Sequence, residues 1–109
     1  MARDVRQLGY IHNHSIRHRE EVEAARVCGC FYCLAVFPPS EIVDWVDEGE
    51  VTALCPRCGI DSVLSESTTI SIDITLLIEM ERHYFGLLSE EQLQEAVVRA
   101  TESAGDHVL

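Results

Sequence analysis

Apolar residues in this chain fall into short runs whose spacing changes along its length, which predicts helices alternating with short strands. Residues 1–14 read as a polar N-terminal arm. Ser15 then predicts an N-cap for a helix over about Ile16–Val27, where Val22 and Ala25 continue the spacing set by His18. Leu34–Phe37 is short and β-prone, and Pro38-Pro39 ends it. Ser40 predicts a second N-cap, with Glu41 and Asp44 at the positive end of a short helix and Gly49 as its stop. Ile42, Trp45 and Val46 would form that helix's inner face. Val51–Leu54 and Ile60–Leu64 read as further strands.

Two helices close the pattern. One spans Asp73 or Ile74 to Phe85, with Ile74, Leu77, Ile78, Glu81 and Phe85 near one stripe and Gly86 as terminator. Its apolar positions wrap widely, which predicts burial against several neighbours or a second copy of the chain. The other opens at a capping box, Ser89-Glu-Glu-Gln92, and buries Leu93, Ala96, Val97 and Ala100. Residues 103–109 read as a frayed tail. A length of 109 residues suits one domain. The expected class is α+β: a small zinc-ribbon or treble-clef-like β core packed by about four helices.

Charge narrows the possible partners. Eight arginines and no lysine face nineteen acids, for a net charge of −11. Residues 1–26 carry a net +1, and the rest of the chain −12. Such a surface repels phosphate, so nucleic acid is not an expected partner. A basic protein is the natural complement, although acidity also serves solubility alone. Met1–Tyr10 is charged and lacks the apolar run of a signal peptide, and no apolar stretch reaches bilayer-spanning length. The expected compartment is the cytoplasm, where thiols stay reduced.

The five cysteines then carry the most specific chemistry. Cys30-Phe-Tyr-Cys33 and Cys55-Pro-Arg-Cys58 are two C-x₂-C knuckles separated by residues 34–54, close to the usual zinc spacing. Each knuckle offers two sulfurs to one edge of a tetrahedron, and two knuckles complete it. Gly59 supplies the permissive backbone of the second turn. Four thiolates leave no position for water, so one Zn²⁺ would be structural. Alternatives are four ordinary buried thiols, or a thiol switch with Arg57 nearby. Cys28 is the ambiguous fifth: a replacement ligand, a resolving thiol, or a small buried residue.

Weaker signals surround this one. His12, His14 and His18 offer a second metal site, and His18 alone offers a hydrogen bond to a cysteine sulfur. His18-Arg-Glu20 with Cys55-x₂-Cys58 imitates the zinc-deaminase signature, but Leu54 stands where proline is expected and Cys30 and Cys33 would have no role.

Cys28-Gly-Cys-Phe-Tyr-Cys33, Phe37-Pro-Pro-Ser-Glu-Ile42, Trp45 and Thr52-Ala-Leu-Cys-Pro-Arg-Cys-Gly-Ile-Asp-Ser-Val63 together resemble a family of small bacterial zinc-ribbon-like cytoplasmic proteins. The likeness spans about residues 15–86 and implies a zinc-binding fold in the bacterial cytosol, with no particular activity attached. The expected function is a zinc-stabilised adaptor, regulator or immunity-like inhibitor that binds another protein and does no catalysis. The alternatives are a redox zinc switch and a zinc hydrolase or deaminase.

Overall fold

The structure is a computed structural model and describes residues 3–106, with side chains described as far as Thr101. Helix α1 (Val5–His12) forms inside the segment expected to be a polar arm. Its start is a capping box: the Gln7 amide donates to Asp4 Oδ1 and the Asp4 amide donates to Gln7 Oε1, both at 2.9 Å. Leu8 and Ile11, three apart, are buried. The two apolar positions were too sparse to outweigh the polar letters around them.

Helix α2 (Arg19–Ala24) is shorter than expected at both ends. Ser15 does not cap it; its hydroxyl donates to His12 O at 2.6 Å and closes the turn after α1. Ile16 is extended and Arg17 has φ +47°. The chain there pairs with a strand instead: Arg17 N donates to Thr52 Oγ1 (2.8 Å) and His18 N to Val51 O (3.0 Å). Tertiary pairing overrides local helix propensity at this point.

Strands β1 (Cys28–Cys30), β2 (Val36–Phe37) and β5 (Val63–Ser65) form an antiparallel sheet in the order β2-β1-β5. Strands β3 (Trp45–Val46) and β4 (Thr52–Ala53) form a separate hairpin, with Trp45 opposite Ala53 and Val46 opposite Thr52. This hairpin replaces the short helix expected after Ser40. Pro39–Glu41 makes one 3₁₀ turn only, and Ser40 is exposed inside it. Asp47, Gly49 and Glu50 have φ of +70°, +86° and +54°, which turns the chain back, and Thr52 Oγ1 donates to Asp47 Oδ2 at 2.6 Å. Short apolar runs fit a strand or a helix equally, and here the turn decided.

Helix α3 (Ile74–Tyr84) begins where expected, with Asp73 Oδ1 accepting from Leu76 N at 2.8 Å. Helix α4 (Glu90–Asp106) opens at the expected capping box, Gln92 N to Ser89 Oγ at 3.1 Å and Ser89 N to Gln92 Oε1 at 2.8 Å. It is continuous to Asp106, where a tail from Ser103 was expected; residues 107–109 lie outside the described residues. Among the described residues no helix is long and apolar enough to cross a membrane.

The alternation of β1 and β5 sorts two cores. Gly29 and Leu64 pair on the face that meets α1, α3 and α4, where Leu8, Ile11, Phe31, Leu34, Leu76, Leu77, Met80 and Leu93 are buried. Cys28, Cys30 and Val63 belong to the opposite cluster with Val22, Phe37, Ile42, Ala53 and Cys55. Glycine at 29 is required by proximity: a Cβ there would lie 2.9 Å from Ile72 Cγ2 and 3.1 Å from Leu77 Cδ1. The domain is therefore α+β, with four α-helices among the described residues and two small antiparallel sheets.

Candidate metal centre

The two C-x₂-C segments fold into matching turns. In the first, Leu34 N donates to Cys30 O and Cys30 N to Ala35 O, both at 2.9 Å. In the second, Gly59 N donates to Cys55 O and Cys55 N to Ile60 O, both again at 2.9 Å. Each turn aims an amide at its leading sulfur: Tyr32 N to Cys30 Sγ and Arg57 N to Cys55 Sγ, each 3.3 Å. The residue after each turn is left-handed, Leu34 at φ +66° and Gly59 at φ +80°.

Folding brings these turns face to face. The ligand atoms of Cys30, Cys33, Cys55 and Cys58 all lie within 4.8 Å of one another. Cys30 Sγ is 3.7 Å from Cys58 Sγ, and Cys33 Sγ is 3.7 Å from Cys55 Sγ. A tetrahedral zinc ion with sulfurs at about 2.3 Å requires edges of about 3.8 Å. Four soft donors at that separation can hold a metal ion, and the donor set suits Zn²⁺. Cys30 and Cys55 are buried; Cys33 and Cys58 are half-exposed.

Four thiols this close share their protons unequally. Hydrogen bonding with Cys33 holds the Cys30 thiol below the usual thiol range, and the Ser62 hydroxyl and nearby amides add to this against the effect of burial. The same contact with Cys30, together with burial, pushes Cys33 upward. Burial first, and then Cys30, pushes Cys58 up to about 12. The bare cluster therefore resists full ionisation, and a divalent cation is the group that makes all four thiolates compatible.

Ser62 is a functional neighbour that the sequence did not reveal. Its hydroxyl lies 3.1 Å from Cys30 Sγ, and its carbonyl accepts from Phe31 N at 3.0 Å. This is the sulfur contact that had been expected of His18. A serine four residues past a knuckle carries no spacing rule that would single it out.

His18 is placed elsewhere, 2% exposed, with both nitrogens taken by the backbone. Nδ1 lies 2.7 Å from His14 O, and Nε2 accepts from Ala53 N at 3.2 Å. These partners require a neutral ring protonated on Nδ1. Burial lowers its pKa below the ordinary 6.5, opposed by the bond to the His14 carbonyl. The other histidines do not converge with it: His14 Nδ1 meets Glu21 Oε2 at 3.0 Å, and His12 stacks on Tyr84 with centroids 4.2 Å apart. Among the described residues the four cysteines are the one group of His, Cys, Asp or Glu placed to hold a metal ion. Cys28, on the same strand as Cys30, stays outside that group, and burial pushes its thiol up to about 11.

The surroundings of the centre are structural. Arg57 Nη2 pairs with Glu41 Oε1 at 2.8 Å on the surface, so its charge is directed to a carboxylate ahead of the sulfurs. Trp45 is half-buried beneath the Arg19 guanidinium, 4.4 Å from the ring centroid. Two surface clefts, of about 500 Å³ along α4 and about 320 Å³ beside α1, have no cysteine in their lining. No protein family, curated protein or solved structure matches this chain.

Proposed function

We propose that the chain is a zinc-stabilised protein-binding module, an adaptor, regulator or inhibitor, in which one Zn²⁺ on Cys30, Cys33, Cys55 and Cys58 is structural. The observation that carries this reading is the pair of matched knuckles with their four ligand atoms within 4.8 Å. Four thiolates fill zinc's shell, whereas a catalytic site keeps one position for water. A three-ligand site using His18 would require that ring to abandon both Ala53 N and His14 O.

A protein partner accords with the charge and with the surface beside the centre. Val43 is 76% exposed and Val46 36%, and Glu41, Asp44, Asp47, Glu48 and Glu50 lie along the same stretch. An apolar contact bordered by carboxylates fits a basic protein surface.

Metal analysis of the reduced chain should give one zinc per molecule. Removal by a strong chelator should abolish the folded circular dichroism and shift Trp45 emission, because structural zinc contributes about 10–16 kcal/mol of apparent binding free energy. A reduced, metal-free chain that is stably folded would overturn the zinc reading. Partner capture on the zinc-loaded chain should weaken with added salt and with Val43→Arg; binding indifferent to both would overturn the surface assignment.

A further inference from the structure

The four sulfurs have different surroundings. Cys30 is buried and its sulfur meets two donors, the Tyr32 amide at 3.3 Å and the Ser62 hydroxyl at 3.1 Å. Cys55 is buried and accepts from the Arg57 amide at 3.3 Å. Cys33 and Cys58 are half-exposed. Beside the Cys30–Cys33 contact within the first knuckle, two contacts of 3.7 Å, Cys30 with Cys58 and Cys33 with Cys55, each join a buried cysteine to a half-exposed one and cross from knuckle to knuckle.

We propose that Cys33 and Cys58 are oxidation sites for hydrogen peroxide and related hydroperoxides, resolved by Cys55 and Cys30 respectively. This rests on the zinc reading above. Peroxide reaches a half-exposed cysteine before a buried one. The Cys33 thiolate attacks the O–O bond, giving a sulfenic acid and one hydroxide. The Cys55 thiolate then attacks that sulfur, forming the S–S bond and releasing a second hydroxide. Each sulfur loses one electron, and the two reduce one peroxide. The two sulfurs of that bridge could then no longer serve as thiolate ligands to a zinc ion. A second peroxide closes Cys30–Cys58 by the same steps, after which no thiolate of the four would be left to hold a zinc ion.

The order follows from Ser62. Hydrogen bonds draw electron density from a sulfur lone pair and slow its attack. Cys30, facing an amide and a hydroxyl, is the slower resolving group, so Cys33–Cys55 forms first. Both bridges span the knuckles, so oxidation exchanges the metal link for covalent links between the same two turns.

The test uses the reduced, zinc-loaded full chain, with metal content measured beforehand. Hydrogen peroxide is added in half-equivalent steps while a chromogenic chelator reads free zinc. Peptides from acid-stable proteolysis without reductant are then mapped by mass spectrometry. The first equivalent should give mainly Cys33–Cys55, the second Cys30–Cys58, with zinc release rising alongside. Ser62→Ala should raise the Cys30–Cys58 share of the first product several-fold. Bridges within a knuckle, a bridge to Cys28, or sulfinic acids with zinc retained would overturn the proposal. A chain without zinc at the outset overturns the zinc reading instead, and the same disulfide map then decides the pairing separately.

Discussion

Leu34 occupies in the first knuckle the backbone position that Gly59 occupies in the second: both are left-handed, and both donate to the carbonyl of the leading cysteine at 2.9 Å. One turn geometry is thus built twice, once with glycine and once at the expense of a strained leucine. Leu34 stays because its side chain is buried in the helical core.

The pair predicts opposite balances. Gly59 has open space around it, so Gly59→Ala should cost about 1 kcal/mol from backbone strain alone. Leu34→Gly relieves similar strain but empties a buried site, a loss of about 2–5 kcal/mol for leucine truncations. Its net cost should exceed that of Gly59→Ala in denaturant unfolding of the zinc-loaded chain. The reverse order would contradict the matched-turn description.

Cys28 and Cys30 share a strand but should separate cleanly by metal titration. Cys30→Ser should lower zinc affinity by orders of magnitude and unfold the apo-like chain. Cys28→Ala should retain one zinc per molecule and lose about 1–2 kcal/mol, the value of a small buried apolar group. Loss of stoichiometric zinc from Cys28→Ala would place the fifth thiol in the metal shell.

Burial lowers the pKa of His18 below 6.5, so between the folded value and 6.5 the unfolded chain binds more protons at this site. Its contribution to stability is complete above about pH 6.5 and is lost as pH falls below that value. His18→Ala strands the Ala53 amide and the His14 carbonyl, and should cost about 2–4 kcal/mol at pH 7.5. The difference between the two chains should shrink in acid, whereas zinc loss affects both alike. His18 imidazole resonances that titrate at or above 6.5 would contradict this.

Glu81, 1% exposed, ties the α3–α4 connection. Its Oε2 accepts from Leu87 N at 2.8 Å and Leu88 N at 3.1 Å, while Oε1 is buried with no partner among the described residues. Glu81→Ala should cost about 2–3 kcal/mol through two orphaned amides. Hydrogen exchange at Leu87 and Leu88 should accelerate. Glu81→Gln, keeping an acceptor for the same amides, should lose about half as much.

The cysteine cluster was legible because two C-x₂-C turns carry their geometry in their own spacing, and α3 and α4 because Asp73 and Ser89 mark their starts. What the letters did not carry was chiefly long-range, with one local turn besides. Thr52 and Val51 draw residues 17 and 18 out of the expected helix, and the Asp47–Glu50 turn makes a hairpin of residues 45–53. Ser62 came to Cys30 through the pairing of β1 with β5, which no local pattern encodes. His18, read as a possible neighbour of the sulfurs, instead links two backbone segments. At residues 17 and 18 pairing with a distant segment overrode a local helix preference, whereas at residues 45–53 a left-handed turn decided between two equally local readings.

Consecutive residues Cys30 and Phe31 belong to different cores, so one peptide unit marks the border between the cysteine cluster and the core under α1, α3 and α4. Such a domain has no seam at which it can be cut. A fragment of residues 28–65 would contain all four knuckle cysteines, yet it would expose Phe31, Leu34 and Leu64, which the helices cover in the intact chain. The helices alone would lack the aromatic tip that packs on Phe85. Truncation series on this protein should therefore give whole domains or aggregates, without a minimal metal-binding piece between them.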